Sequence, residues 1–213
     1  MSRRRSSGRA SAQRRAQRGQ PKFDMLPALQ RGIPFCEPMD LEQVQRIDEA
    51  SMAILEEVGV VFRDPVALRQ WKEHGARIDG DRVYFDRAQV RELIRTIPGE
   101  ITYHARDPEK NVTIGGNNSI FVPMTGAPFV VDLENQRRLP TLDDLAMFHK
   151  LSHMSPALHS SAHHIVEPMD CRISHRHLHI TYSSMKYSDK TFMGMTTSGR
   201  NAQDVLDMCA ILF

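Results

Sequence analysis

The stretch that decides the fold runs from residue 158 to residue 196 and reads LHSSAHHIVEPMDCRISHRHLHITYSSMKYSDKTFMGMT. Its first part, 158–166, is a strand pattern, its middle, 171–187, is long enough for a helix, and its end is again a short strand pattern. The alternation continues on both sides, because further helical patterns begin at Thr141 and Asn201. Short strands that alternate with longer helices predict βαβ units and a parallel sheet.

Two architectures fit this alternation, an open doubly wound sheet and a closed barrel, since both use right-handed crossovers. The nucleotide-binding patterns Gly-x-Gly-x-x-Gly and Gly-x4-Gly-Lys-Ser/Thr follow none of the expected strands, which argues against nucleotide binding. A whole barrel needs about 250 residues, so only its first strand–helix units fit between 118 and 213. The final helix pattern at 201–213 runs into Ala-Ile-Leu-Phe without a closing Gly or Pro. We therefore expect the front part of a larger protein.

Capping signals before residue 100 predict three helices and a hairpin. Asp40 begins the first helix with Gln43 at the capping-box position, and Gly59 ends it. One apolar stripe follows this helix: Val44, Ile47, Ser51, Ile54, Leu55 and Val58. The further elements expected are a strand at 60–62, a helix from Asp64-Pro65 to Gly75, a hairpin around Asp79-Gly80, a helix from Asp86 to Pro98, short strands at 101–105, 112–114 and 119–124, and a hairpin at 129–139.

The composition, 40% apolar and 25% charged over 213 residues, is that of a soluble globular protein. Residues 3–18 hold seven arginines and no acid, which leaves the remainder mildly acidic. This arm either binds RNA, phosphate or an acidic partner, or is a solvated disordered tail. The tail is the preferred interpretation, and nucleic acid is not expected as a partner, because no aromatic residue is available for base stacking.

The same sequence gives no sign of a membrane or of secretion. No apolar run approaches the roughly 20 residues of a membrane helix, and no apolar segment follows the basic start. The three cysteines are widely spaced and odd in number, which fits free thiols in a reducing compartment. We expect a cytoplasmic protein.

Small and polar residues follow three of the expected strands. In a barrel, reactive side chains stand at the carboxyl ends of the strands, which makes candidates for substrate binding of Thr125, Gly126, Glu167, Asp170 and Thr196. Taken singly, a turn or cap role is the preferred interpretation for each of them. Glu167 is the hardest to explain in that way, because a carboxylate at a strand end must be either solvated or facing a cation. No catalytic residue is assigned.

Eight of the ten histidines lie between 149 and 179. His149 and His153 are one helical turn apart, as are His175 and His179, and that spacing can chelate zinc from one face of a helix. No His-Glu-x-x-His or Cys-x-x-Cys pattern accompanies them. Structural roles are therefore preferred, and no metal is assigned.

Several longer strings resemble the trimethylamine methyltransferase family. They are ILEEVGV from Ile54, TGAPFVVDLE from Thr125, RLPTLDDL from Arg138, YSSMKYSDK from Tyr182 and FMG from Phe192. The resemblance covers nearly the whole chain from about residue 40. It implies a polypeptide about twice this length and an α/β fold class, a partial (β/α)8 TIM barrel preceded by an N-terminal α+β extension. The expected division is a basic arm and extended segment at 1–39, the extension at 40–117 and the first strand–helix units of the barrel at 118–213.

The resemblance also implies an activity and its partners. Members of this family move a methyl group from a tertiary or quaternary amine to the cobalt of a partner corrinoid protein. The corrinoid (cobalamin) is then supplied by that partner and not bound directly, the substrate is a small methylated amine such as trimethylamine or glycine betaine, and a homo-oligomer is expected at full length. Archaeal members carry a pyrrolysine, which many bacterial members lack. That position and the main active-site residues are expected beyond Phe213.

Two other interpretations remain open. One is a non-catalytic module in which the Arg-rich arm docks on an acidic partner and the His-rich segment binds metal. The other is a zinc-dependent methyltransferase or hydrolase on the same barrel. Both interpretations can be tested by titrating zinc into the protein and into a variant in which His175 and His179 are replaced.

Overall fold

The computed structural model describes residues 24–213. They form two compact units, one of residues 32–99 and the other of residues 24–31 together with 100–213. The basic arm at 3–18 lies outside the described residues. In chain order the elements are β1 (Leu29–Gln30), α1 (Leu41–Ala53) with a π-helical turn (Ile54–Val58), β2 (Val60–Val61), α2 (Pro65–Glu73), β3 (Arg77–Asp79), β4 (Arg82–Tyr84), α3 (Arg87–Arg95), β5 (Glu100–Tyr103), a 3-10 turn (Pro108–Lys110), β6 (Val112–Gly115), β7 (Asn118–Ser119), β8 (Val130–Val131), β9 (Arg137–Arg138), α4 (Leu142–Met154), α5 (Ile173–Tyr187) and α6 (Gly199–Leu212).

The helix starts of the 32–99 unit are those that the capping signals predict. Asp40 caps α1 in a complete capping box with Gln43, and Asp64 and Asp86 accept backbone hydrogen bonds at the starts of α2 and α3. Strands β3 and β4 form the predicted hairpin, and β2 pairs with β4 in the order β2-β4-β3. Three aromatic rings, those of Phe62, Trp71 and Phe85, meet beside this small antiparallel sheet.

The second unit contains an antiparallel sheet, a hairpin and three helices. The sheet order is β1-β7-β6-β5, and the hairpin β8–β9 is the one predicted at 129–139. Thr141 caps α4 at the predicted start, in a capping box with Asp144. Two hydrogen bonds from the Arg138 guanidinium, of 2.6 and 2.7 Å, hold the pKa of Asp144 well below its usual range. The start of α4 is thus fixed both by its cap and by a charged pair.

Parallel pairing is present in the second unit, but the strands predicted at 158–166 and 191–196 are wrong in extent. They are reduced to two isolated parallel bridges, Ala127 with Val166 and Ser160 with Thr191. Ala162 has a φ of 58°, a left-handed conformation that an extended strand does not contain, and it separates the two bridges. The mixed α/β class is confirmed, whereas residues 24–213 contain no closed barrel.

Helices α4 and α5 pack on the parallel segments. Leu145 of α4 and Ile180 of α5 are fully buried against Val166, and Ala127 and Met195 of the neighbouring segments adjoin this cluster. Apolar residues from three segments thus meet two helices, as βαβ units require. None of the helices found in residues 24–213 combines the length and the apolar character needed to cross a bilayer.

Candidate functional site

The candidate site lies where two parallel segments end, beside Gly126 and Glu167. The Gly126 amide donates to the carbonyl oxygen of His164 at 2.7 Å, and the Glu167 amide donates to the carbonyl oxygen of Ala127 at 3.0 Å. Gly126 has a φ of 78°, and a Cβ atom placed there would meet Nε2 of His164 at 3.4 Å. The positive φ favours glycine here, whereas the contact with His164 is an ordinary van der Waals distance. These contacts bring Gly126, His164 and Glu167 together.

Glu167 faces a cation supplied by the protein itself. Its Oε1 accepts a hydrogen bond of 2.6 Å from Nη1 of Arg176 on α5, and its Oε2 lies 3.8 Å from Nε2 of His164. The Glu167 carboxylate in turn raises the pKa of Arg176. The sequence left two alternatives for the surroundings of this carboxylate, water or a cation. In the structure a cation, Arg176, faces it.

The remaining three candidates are not linked to Glu167. Asp170 accepts a hydrogen bond of 2.9 Å from the Leu142 amide, so it caps the start of α4 rather than that of α5, whose N-cap residue is Arg172. Thr125 and Thr196 are exposed. Within residues 24–213 no hydrogen bond or ion pair connects either threonine to Glu167. The substrate-binding role of all five residues stays a prediction.

A buried histidine supports the segment that leads to Glu167. His149 on α4 is completely buried, with Nε2 3.0 Å from the carbonyl oxygen of His163 and Nδ1 2.8 Å from the Ser183 hydroxyl on α5. Because a carbonyl oxygen can only accept, Nε2 carries the proton, and Nδ1 accepts from the serine. Burial lowers the pKa of His149, which favours the neutral ring. One imidazole thus joins two helices to the 163–167 segment.

His163 and His164 extend this set of contacts toward the carboxylate. Their Nδ1 atoms are 2.5 Å apart, so one ring donates to the other and both cannot be charged at once. Burial lowers the pKa of His163 to about 4, and the repulsion that a proton on His163 would meet from a protonated His164 or His149 acts in the same direction. A series of polar contacts therefore runs from Ser183 through His149, His163 and His164 to Glu167 and Arg176. Sequence reasoning identified the histidines as a cluster but not this order, since their partners come from α4 and α5.

The sequence analysis missed Lys190, which is the most heavily bonded buried cation of the unit. Its side chain is 1% exposed, and Nζ donates to the carbonyl oxygens of Ser152, Ser155 and Leu158 at 2.6–2.8 Å. These carbonyls lie at the end of α4 and in the loop that follows it, so the ammonium group closes that helix end. The signal available in the sequence was the string Ser-Asp-Lys just before a strand pattern. Lys190 is a structural residue at the amino end of the parallel segments, opposite Glu167.

The histidine pairs proposed as zinc chelators have different environments. His149 is bonded as described above, while Nδ1 of His153 lies 3.1 Å from a carboxylate oxygen of Asp189. His175 and His179 are exposed on α5. In the part of the chain that the structure describes, no group of three or more His, Cys, Asp or Glu side chains is arranged to hold a metal ion. Zinc binding by His175 and His179 stays a prediction.

Comparisons with known proteins bear on the whole chain. The family model described as trimethylamine methyltransferase (MTTB) matches residues 5–213. The chain is 44% identical over 172 residues to a glycine betaine methyltransferase of Desulfitobacterium hafniense (strain Y51), an alignment that covers 81% of this chain and 36% of that protein. This chain therefore belongs to the trimethylamine methyltransferase family, as the quoted strings predicted.

Two proteins of Eubacterium limosum are more distant relatives. An L-carnitine:corrinoid methyltransferase is 26% identical over 111 residues, which are 52% of this chain and 22% of that protein. A proline betaine:corrinoid methyltransferase is 26% identical over 167 residues, which are 75% of this chain and 33% of that protein. The chain spans about a third or less of the length of the curated relatives that it matches.

Proposed function

We propose that this chain is part of an enzyme that transfers a methyl group from a quaternary amine of the betaine type to the cobalt of a corrinoid carried by a partner protein. The identity of 44% to a glycine betaine methyltransferase over most of the chain is the observation that carries this proposal. The names of the two Eubacterium limosum relatives support the corrinoid acceptor. We assign the protein to the cytoplasm, because its three cysteines are free thiols.

The substrate class is narrower than methylated amines in general. Glycine betaine, L-carnitine and proline betaine, named in the three relatives, share a quaternary nitrogen and a carboxylate. Trimethylamine has neither. We propose a zwitterionic substrate for this protein, with glycine betaine as the first compound to test. A quaternary nitrogen has no N–H to donate, so aromatic faces and carboxylates are the groups that can hold it.

The proposed reaction requires the protein to position the substrate and does not require it to transfer a proton. The bond between nitrogen and the methyl carbon breaks, its electron pair stays on the amine, and reduced cobalt of the partner supplies the pair for the new bond to carbon. The tertiary amine leaves without taking up a proton in that step. Residues of this chain then have two tasks, to orient the ammonium group and to exclude water. Because the acceptor arrives with its own protein, the chain needs an open edge at which that protein can dock.

We propose that the parallel segments are the first strands of a (β/α)8 barrel at 118–213, after an extension at 40–117. The parallel bridges, the apolar contacts of α4 and α5 with the segments, and the helices between consecutive segments support this fold. The carboxyl ends of barrel strands form the active-site face. Gly126 and Glu167 lie at those ends.

Within this proposal Glu167 contributes negative charge near the substrate nitrogen. Arg176 engages Oε1, so Oε2, which lies toward His164, is the oxygen left to face a cation. The Arg176 contact fixes the carboxylate in one orientation, as a positioning group should. Thr125, Asp170 and Thr196 are proposed as neighbours of the same edge and not as charged contacts.

The function is tested with the polypeptide as its gene encodes it, a reduced corrinoid protein and either glycine betaine or trimethylamine. We expect dimethylglycine to form from glycine betaine, detected by mass spectrometry, with little turnover of trimethylamine. Turnover of trimethylamine alone would contradict the betaine proposal, and no turnover of any methylated amine with any corrinoid protein would contradict methyl transfer.

Glu167→Gln tests the site within the active protein. We expect the KM for glycine betaine to rise by about tenfold or more, which corresponds to about 1.4 kcal/mol of binding. Glu134→Gln, in the exposed turn between β8 and β9, is the matched control and should leave KM unchanged. An unchanged KM in Glu167→Gln would remove Glu167 from the site and leave the methyl-transfer proposal standing.

A further inference from the structure

Arg176 has hydrogen-bond donors that the protein does not use. The Glu167 carboxylate engages Nη1 at 2.6 Å, whereas Nε is buried and has no hydrogen-bond partner among residues 24–213. Nη2 contacts the sulfur atom of Met169 at 3.5 Å, and the Cys171 thiol also lies beside the guanidinium group. Sulfur is a weak acceptor. In the described part of the chain, the Nε–Nη2 edge of this arginine therefore has sulfur neighbours and no oxygen acceptor.

This edge has the geometry that binds a carboxylate. The N–H of Nε and one N–H of Nη2 point the same way from the planar guanidinium group, so the two oxygens of a carboxylate can accept both at once. A buried donor without a partner is unfavourable, and an incoming oxygen acceptor removes that cost. The Arg176 side chain is only 13% exposed. A ligand carboxylate bound there would be largely shielded from water, where a charged hydrogen bond is strongest.

The start of α5 favours a negatively charged ligand as well. The N-cap residue, Arg172, makes no side-chain cap, and the first turn contains no acidic residue. Uncapped amide groups and the helix dipole both attract an anion to this end of a helix. Arg176 lies one turn further along the same helix. The helix start thus agrees with the unused donors of Arg176, which are an independent observation.

We propose that Arg176 binds the carboxylate of a zwitterionic betaine through its Nε–Nη2 edge, while Oε2 of Glu167 faces the quaternary nitrogen. The inference rests on the proposed function and names the residue that recognises the second charge of the substrate. In glycine betaine a single carbon separates the nitrogen from the carboxylate, so its opposite charges are adjacent, as those of Glu167 and Arg176 are. The substrate then lies antiparallel to this ion pair, with each charge beside its opposite.

The arrangement gives Arg176 a role in specificity. A quaternary or protonated amine that lacks a carboxylate meets the positive charge of Arg176 with nothing to offset it, whereas a betaine is attracted by that charge. Discrimination between the two ligands is a difference of affinities, and the guanidinium group acts on both in opposite directions. Met169 has to leave Nη2 when the carboxylate binds, and its side chain, which is 46% exposed, borders the solvent into which it can move.

Ligand binding separates recognition by Arg176 from its contact with Glu167. Calorimetry on the polypeptide as its gene encodes it compares glycine betaine with tetramethylammonium, a quaternary cation without a carboxylate. Arg176→Gln should weaken the binding of glycine betaine by about 30-fold or more, as expected when a hydrogen-bonded charge pair is lost. It should weaken the binding of tetramethylammonium by less than about threefold. Equal losses for the two ligands would make Arg176 a positioning residue for Glu167 and overturn the proposal.

Three further variants complete the test. Arg172→Gln, at an exposed arginine of the same helix, is the matched control and should change neither affinity by more than about twofold. Glu167→Gln should weaken both ligands, because both contain the quaternary nitrogen. Arg176→Lys keeps the charge but cannot offer two parallel donors, so it should recover only part of the affinity for glycine betaine. Full recovery would exclude recognition by the Nε–Nη2 edge.

The outcomes distinguish this inference from the proposed function. A wild type that binds glycine betaine and transfers its methyl group, with the same affinity in Arg176→Gln, would overturn the role of Arg176 alone. A wild type that binds no betaine would overturn the proposed function with it. If Arg176→Gln fails to fold, as judged by its circular dichroism, Arg176→Lys and the wild type decide. A wild type that binds tetramethylammonium as tightly as glycine betaine would contradict carboxylate recognition.

Discussion

The two units of this chain differ in what lies inside them. The 32–99 unit buries Met52, Val83 and Phe85 and is held together by helix caps, a small sheet and ion pairs at its surface. The 100–213 unit buries polar side chains, among them His149 and Lys190, and each of these has hydrogen-bond partners in distant parts of the chain. The comparison shows two ways to specify a structure. One unit relies mainly on local signals, and the other adds long-range directional contacts between buried polar groups.

This difference determines how each unit should respond to substitution. A buried polar group that loses its partner cannot turn to water, so its full desolvation cost appears in the free energy of unfolding. An exposed ion pair that loses one member is solvated at once. We therefore expect large effects in the second unit and small effects at the charged surface of the first.

Lys190→Met should have the largest effect. The substitution keeps most of the side-chain volume but leaves the carbonyl oxygens of Ser152, Ser155 and Leu158 without their donor. At about 1 to 3 kcal/mol for each unsatisfied group, we expect a loss of about 5 kcal/mol in the free energy of unfolding, measured by urea denaturation. Lys72→Met on exposed α2 is the control and should change it by less than about 0.5 kcal/mol. Equal effects of the two would remove the distinction drawn between the units.

His149→Leu should follow, with a loss of about 3 kcal/mol. Leucine fills much of the space but leaves the carbonyl oxygen of His163 and the hydroxyl of Ser183 unpaired inside the protein. The comparable residue in the other unit is His74, an exposed histidine whose Nδ1 contacts the carbonyl oxygen of Gln70. His74→Leu should cost less than about 0.5 kcal/mol in the same measurement. A His149→Leu protein as stable as its wild type would show that the buried imidazole does not hold the 163–167 segment.

The same contrast explains what the sequence could predict. The helix starts at Asp40, Asp64, Asp86 and Thr141 were predicted correctly, because a cap is a contact between residues two or three apart. Gly126 and Glu167 were predicted only to follow expected strands, and a cation was one of two alternatives for the group facing Glu167. Its identity as Arg176 and the order of the buried histidines depend on how α4 and α5 pack.

The predictions that were wrong or incomplete also depend on contacts that local sequence signals do not define. The strand at 158–166 was predicted too long, because nothing in the composition marks Ala162 as left-handed. The stripe of α1 was recognised, but the exposure of most of its apolar residues was not predictable, because Arg87 and Arg91, which bind the acids of α1, are more than 30 residues away. Local signals define where a helix begins, and they do not define which side of it faces the core.

Acid should destabilise the protein through His163. Its pKa is lowered to about 4 in the folded chain, against 6.5 when unfolded. Between these values the unfolded chain binds a proton that the folded one does not, so stability is complete above pH 6.5 and falls as the pH drops toward 4. The loss is at most about 3 kcal/mol. Urea denaturation at a series of pH values should show this slope, and His163→Gln should flatten it. An unchanged slope in that variant would assign the acid sensitivity to other groups.

The smallest effect is expected where α1 meets α3. Arg91→Ala removes the exposed pair with Asp48, and water replaces the lost hydrogen bonds on both sides. We expect a slight fall in the melting temperature at low salt and almost none in 1 M sodium chloride, because the Debye length there is about 3 Å. The wild type itself should lose a similar small amount as salt is added. A large fall that persists in 1 M salt would mean that Asp48 and Arg91 fix the orientation of α1. The charged side of the 32–99 unit would then be as specific as the buried hydrogen bonds of the 100–213 unit.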